Sequence, residues 1–304
     1  MKNRIIILII SIIIALIVLG IGLYGLSNTK DDNKDKATNG DIEKSTEIEN
    51  ESSDISTVES DDEESINEEN NIEETDVSEK EETSTSGNDV LVSTVPEASD
   101  IDPNKPMVAL TYDDGPTGNN TLRILDTLKK YNARATFFVV GYNLDGNEEI
   151  IKKIAEQGSE VANHTASHKD LAKLTIEELN YEVNSVADKI KSLTGQKNVL
   201  IRPPYGSVND FVMSSLTEPV ILWSIDTEDW KTKNPEATLN HVKATVYDGA
   251  IILMHDLHSE TADATEMLVE WLTNEGYQIV TVSEMGYYRR GGLQTGVRYG
   301  SLQP

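Results

Sequence analysis

Between residues 107 and 282 the chain repeats one local pattern, a short apolar run rich in β-type residues followed by a stretch with helical spacing. The runs fall at 107–112, 135–141, 160–162, 199–201, 220–224, 250–254 and 278–282. They are largely apolar rather than alternating, so their strands are expected to be buried on both faces, as in a parallel sheet or an α/β barrel. Thr175-Ile-Glu-Glu178 has the form of a capping box and opens a helix whose Leu179, Val183, Val186, Ile190 and Leu193 share one face, ending before Gly195. A second helix runs near 264–274, with Ala264, Leu268, Trp271 and Leu272 as its stripe and Gly276 as its stop. Seven or so β/α repeats in roughly 190 residues are too few for a regular eight-fold barrel. The expected fold is therefore α/β, an incomplete or distorted (β/α) barrel.

Charge marks where that fold can begin. Residues 31–100 hold 25 acidic against four basic side chains and no Phe, Tyr or Trp, which is −21 of the chain's net −27. Such a stretch cannot bury enough apolar surface to offset the entropy of ordering. Residues 28–101 are read as an acidic disordered linker with a random-coil reach of roughly 45 Å, lengthened by self-repulsion. A solvated spacer is the preferred reading of it, over a cation- or wall-polymer-binding role. Residues 102–290 form the working domain, and 291–304 a C-terminal tail to which no pattern assigns a role. The acidic balance excludes a nucleic-acid binder, which needs a basic footprint. The absence of Cys removes disulfides, thiolate metal sites and Cys nucleophiles, so any metal must sit on His and carboxylates.

Ahead of the linker, Lys2 and Arg4 precede an uncharged, Ile- and Leu-rich run over 5–26. As a helix its 22 residues span roughly 33 Å, enough to cross a bilayer. Residues 1–27 are read as a cytoplasmic start and transmembrane anchor, in preference to a cleaved signal peptide, whose apolar region is shorter. The positive-inside rule then keeps the N-terminus in the cytoplasm and places the rest of the chain outside the cell.

Polar clusters follow the apolar runs, where an α/β barrel gathers its working groups. Thr111-Tyr-Asp-Asp-Gly-Pro116 puts two adjacent carboxylates at a strand end, although Asp-Gly-Pro alone is also turn chemistry. His164-Thr-Ala-Ser-His168 places two imidazoles four apart, on one face if the segment is a helical turn. Two His and one carboxylate with open positions make a catalytic zinc or iron pattern. Arg202-Pro-Pro-Tyr-Gly206 sets an Arg at a strand end, where it can orient a carboxylate or stand as a surface residue on a rigid turn. Asp226-Thr-Glu-Asp-Trp230 and Ile252-Leu-Met-His-Asp256 are weak signals singly. Asp256 reads as a cap or turn residue, His241 and His258 as structural or solvent-exposed.

In order and wording these five blocks resemble the polysaccharide deacetylases, the NodB-like carbohydrate esterase family four, over roughly residues 105–285. The resemblance implies a distorted (β/α) barrel that removes N-acetyl groups from an amino-sugar polymer with the help of a metal. It makes Asp114, His164 and His168 the metal ligands, Asp113 the general base and His255 the general acid. Tyr205 would supply an oxyanion-hole backbone N–H, Trp230 and Leu253 would line the sugar and acetyl pocket, Arg202 would hold Asp113, and Asp229 would pair with His255. One divalent ion is implied, zinc foremost, with cobalt, nickel or iron also suited to such ligands.

The expected activity is hydrolysis of N-acetyl groups from N-acetylglucosamine in an extracellular glycan, peptidoglycan before chitin, by an enzyme held at the cell membrane. Its expected partners are cell-wall glycan and, through the N-terminal helix, the membrane, with no nucleic acid and no protein partner implied. The other readings are a catalytically silent glycan-binding module and a hydrolase of chitin-like oligomers or O-acetylated polymer.

Overall fold

The computed structural model describes Val90–Leu91 and residues 100–304. The run 5–26, expected as an anchor, and most of the acidic stretch lie outside the described residues. Among the described residues no helix is long and apolar enough to cross a membrane.

Among the described residues ten strands are present: β1 Val90–Leu91, β2 Met107–Asp113, β3 Thr136–Val139, β4 Glu160–Asn163, β5 Val220–Ile221, β6 Ile225–Asp226, β7 Ala250–His255, β8 Gln278–Ile279, β9 Leu293–Gln294 and β10 Arg298–Tyr299. The main sheet runs β4-β3-β2-β7-β6, every pairing parallel, with β8 also paired to β2. Parallel bridges carry the row from Asn163 to Ile201 and from Ile201 to Val220. There β10 pairs parallel with β5, and Ser301 bridges back to Ala250 of β7. The row thus closes on itself as a distorted α/β barrel.

The apolar character of the strands follows from this closure. In β2, Val108, Leu110 and Tyr112 pack with Ile124, Leu125 and Leu268 of the surrounding helices, whereas Met107 and Ala109 join Phe138, Ile251 and Leu302 in a second cluster. Alternate side chains face opposite ways along a strand, so both faces of β2 are buried. Each fully buried aliphatic side chain contributes roughly 1.5–3 kcal/mol.

The capping box at Thr175 forms in full, and its helix Ile176–Thr194 ends on Gly195 in the left-handed region at φ 73°. The second expected helix spans Ser259–Asn274, opening five residues before the stripe began. The run 278–282 divides: its start is β8, while Thr281 and Glu284 make a second capping box at the head of a helix Val282–Arg290. The run 199–201 supplies one bridge residue, Ile201.

The tail also belongs to the barrel. Its β9 pairs antiparallel with β1, its β10 pairs parallel with β5, and Leu302 is wholly buried. Two-residue strands carry no periodicity, which is why the pattern left them blank. At the N-terminal edge of the domain, Asp100 holds the Arg134 guanidinium at 3.0 Å.

Candidate active site

Parallel register places the chemistry on one rim. Asp113 and His255 end neighbouring strands directly opposite one another, Asp226 of β6 faces Leu253, and Asn163 ends β4 one residue before His164. Asp113, Asp114, His164, His168 and His255 line a cleft of about 630 Å³ with Tyr205, Trp230 and Leu253. Trp223, Asp226, Leu257 and His258 complete its wall, so His258 is a cleft residue rather than a remote one.

His164 is buried, and its Nδ1 lies 2.6 Å from the Arg202 carbonyl oxygen. A carbonyl accepts only, so Nδ1 carries the proton and Nε2 is left with its lone pair. Burial holds this imidazole below its ordinary pKa, against the pull of Asp113 and Asp114. His164 Nε2 stands 3.6 Å from Asp114 Oδ1, and His168 Nε2 stands 3.3 Å from the same oxygen. That oxygen is buried and has no hydrogen-bond partner among the described residues. One donor atom from each of the three residues falls within 4.8 Å of the others. An orphaned carboxylate oxygen facing two imidazole nitrogens fits a divalent metal.

The two histidines do not share a helical turn, as their spacing suggested. Residues 164–168 form a loop in which Thr165 and His168 are left-handed, at φ 70° and 56°. The rings meet all the same, their centroids 4.9 Å apart.

Behind the cleft wall stand two charged pairs. Arg202, wholly buried, donates from Nη1 to Asp113 Oδ1 at 2.6 Å and to Thr111 Oγ1 at 2.9 Å. Its Nη2 donates to the Leu222 carbonyl, and the guanidinium lies 4.0 Å over the Phe138 ring. Every degree of freedom of this Arg is thereby fixed, and with it the carboxylate of Asp113, whose Oδ2 points toward His164 at 3.6 Å. In the second pair Asp229 Oδ1 accepts from His255 Nδ1 at 2.9 Å, while Oδ2 accepts from the His255 backbone N–H and the Thr261 hydroxyl. Burial opposes charge on His255, but the bond to Asp229 and the fields of Asp113, Asp229 and Asp114 outweigh it and push the imidazole up to about 9.

Tyr205 sits at φ 61° on a tight turn beside His168. The next residue, Gly206, is also left-handed and lies so near Trp223 that a Cβ would come within 2.9 Å of that ring. Trp230 is 48% exposed over the cleft, and Leu253 is buried in its floor.

Residues 100–218 match the family described as polysaccharide deacetylase. Among curated proteins, the chain is 40% identical over 194 residues to the peptidoglycan-N-acetylmuramic acid deacetylase PdaC of Bacillus subtilis, covering 64% of this chain and 42% of that one. It is 39% identical over 205 residues to the peptidoglycan-N-acetylglucosamine deacetylase PgdA of Listeria monocytogenes, covering 67% and 43%. The matched region thus spans about two fifths of the length of these relatives. A solved structure of the Bacillus subtilis PdaC superposes with a TM-score of 0.61 at 40% identity, over 63% of this chain and 95% of that one. The chain belongs to the polysaccharide deacetylase family.

Within this polysaccharide deacetylase domain, the structure brings all ten residues named from the sequence to the cleft or directly behind it. It adds Glu182, which the sequence reading passed over, and gives Asp256 more than the cap or turn place read for it. Asp256 is no simple turn residue: its carboxyl is fully buried under Gly115, where a Cβ would collide with it, and accepts from the Thr121 hydroxyl. Glu182 reaches from the helix Ile176–Thr194 into the His164–His168 loop. Its signal was a carboxylate three residues after Leu179 and four before Val186, on the apolar face.

Proposed function

We propose that this protein hydrolyses N-acetyl groups from N-acetylglucosamine residues of peptidoglycan, releasing acetate. The observation that carries the reading is the pair of fixed ion pairs, Asp113–Arg202 and His255–Asp229, in one cleft with the Asp114, His164 and His168 triad.

Asp114, His164 and His168 would hold a divalent ion, zinc in our reading, which would supply a Lewis acid for the acetyl carbonyl and lower the pKa of a bound water. Asp113, oriented by Arg202, takes one proton from the water as its oxygen bonds to the amide carbon. The Tyr205 backbone N–H donates to the oxyanion that develops on the former carbonyl. His255, charged through Asp229, gives its proton to the sugar nitrogen as the C–N bond breaks, leaving an amine and acetate. Trp230 offers an exposed ring face to the sugar, and Leu253 an apolar floor to the acetyl methyl.

The uncharged run 5–26 behind Lys2 and Arg4 supports an N-terminal membrane anchor, with the acidic stretch as a tether carrying the domain outward to the wall. The test is acetate release by the detergent-solubilised full chain, stripped of metal and resupplied with Zn²⁺ or Co²⁺, on peptidoglycan and on N-acetylglucosamine oligomers. Metal-dependent acetate from peptidoglycan, with the deacetylated sugar identified, is expected. Acetate only from O-acetylated polymer, or none from a folded, metal-loaded chain, refutes the proposal.

A further inference from the structure

The loop bearing His164 and His168 is held in a costly shape. Thr165 and His168 are non-glycine residues at positive φ, a strained state for side chains of L-residues. On one side Asn163 Oδ1 accepts from the Thr165 N–H at 2.8 Å, and Thr165 Oγ1 accepts from the His168 N–H at 3.1 Å. On the other side a single residue of the neighbouring helix does the holding. Glu182 is 1% exposed; its Oε2 accepts from the Ser167 N–H at 2.7 Å and its Oε1 from the Ser167 hydroxyl. Lys169 Nζ lies 3.3 Å from Oε1, and the Glu182 carbonyl accepts from the Ala166 N–H at 2.9 Å.

A carboxylate on the buried face of a helix costs stability unless it is fully paired, and the packing of Leu179, Val183 and Val186 does not require one. Each bond this carboxylate makes goes to the segment between the two histidines or to the residue just after them. His164 is anchored separately by the Arg202 carbonyl, so Glu182 acts on His168 alone.

We propose that Glu182 is a positioning residue for the metal centre, clamping Ser167 and Lys169 so that His168 Nε2 is held against Asp114 Oδ1. The inference rests on Asp114, His164 and His168 being metal ligands. Without the clamp the loop relaxes toward unstrained backbone and the site keeps two ordered ligands of three.

The test is a Co²⁺ titration of the metal-stripped full chain, followed by the absorbance of the bound ion, beside the unfolding midpoint of the same samples. Glu182→Ala is expected to raise the Co²⁺ dissociation constant about 10- to 100-fold, the scale for groups that orient metal ligands. Saturating Co²⁺ should then restore most of the absorbance. Glu182→Gln keeps an acceptor for the Ser167 N–H, and Ser167→Ala keeps the backbone bond; both should lose affinity by less. Glu160→Gln is the control for mere stability. This half-buried carboxylate sits at the far end of β4, bonded by Thr136 at 2.9 Å and by Ser283, and its change should lower the midpoint without moving the dissociation constant. Unchanged affinity in a folded Glu182→Ala overturns the proposal. Should that variant fail to fold, unchanged affinity in both Glu182→Gln and Ser167→Ala overturns it equally. A wild-type chain that takes up no Co²⁺, or a His164→Ala variant that binds it as tightly as wild type, removes the metal reading itself and is told apart on that ground.

Discussion

The protonation of His255 depends on Asp229, and Asp229→Asn tests the dependence with little change of shape. The imidazole rises from an ordinary 6.5 to about 9. That difference corresponds to roughly 3 kcal/mol in favour of the imidazolium. Among the influences that raise it, the Asp229 bond is the largest. In the variant, the amide oxygen is drawn to the two donors that now share Oδ2, the His255 N–H and the Thr261 hydroxyl. The amide NH₂ then faces Nδ1, a position that a protonated Nδ1 cannot tolerate. If the imidazole returns to about 7, its protonated fraction at pH 8 falls from about 0.9 to about 0.1. The assay is kcat/KM for acetate release from pH 6 to 10 at saturating metal. The bound ion's field acts on wild type and variant alike, so the difference between them is the readout. The alkaline limb should move toward acid by at least about one pH unit, with a loss near tenfold at pH 8 and a much smaller one at pH 6. An alkaline limb that stays in place would show that another group donates the proton.

Asp113→Asn should lower kcat by at least about 10²-fold while Co²⁺ binding stays within a fewfold of wild type, because Asp113 bonds Arg202 and is not one of the three residues proposed to hold the metal; loss of metal binding instead would reassign the residue. Burial raises the Asp256 carboxyl to about 7 from 3.8, so the folded chain holds that proton more tightly than the unfolded one. The stability it contributes is complete below about pH 4 and is lost as pH rises through about 7, a span on the order of 4 kcal/mol. Asp256→Asn carries no charge, so the gap between its unfolding midpoint and that of wild type should shift in the variant's favour from pH 5 to 8; a gap that does not change with pH would place the charge elsewhere. Leu302→Ala should cost about 2–5 kcal/mol in urea unfolding, as for a fully buried Leu; a cost below about 1 kcal/mol would mean that the tail is an accessory.

The sequence declared its strands because burial on both faces leaves uninterrupted apolar runs, and it declared its helices where Thr175 and Gly195 mark the ends. The carboxylates Asp113 and Asp114 and the two histidines were legible because each pair is contiguous or nearly so. The partnerships were not: Arg202 meets Asp113 across 89 positions and His255 meets Asp229 across 26, distances at which spacing carries no geometry. Those came from the family resemblance alone. Glu182 was missed, and Asp256 was read only as a cap or turn residue, for a different reason. A buried carboxylate looks like any solvated one until the helix face or the turn above it is known. The tail was opaque because β9 and β10 are two residues each, too short for any period to show.

Closure of the barrel by β10 and Ser301 has a consequence in time. During synthesis β2 and β7 emerge with one face of the second core cluster open, and Leu302, which covers it, follows about 50 residues after β7 begins. The ring cannot shut before those residues have left the ribosome. A chain halted near Arg290 would carry the whole reactive rim, Asp113 to His255, on a scaffold still exposing Met107, Ala109 and Ile251 to water. Emergence of Ser301 and Leu302, rather than assembly of the rim, is what lets the ring close.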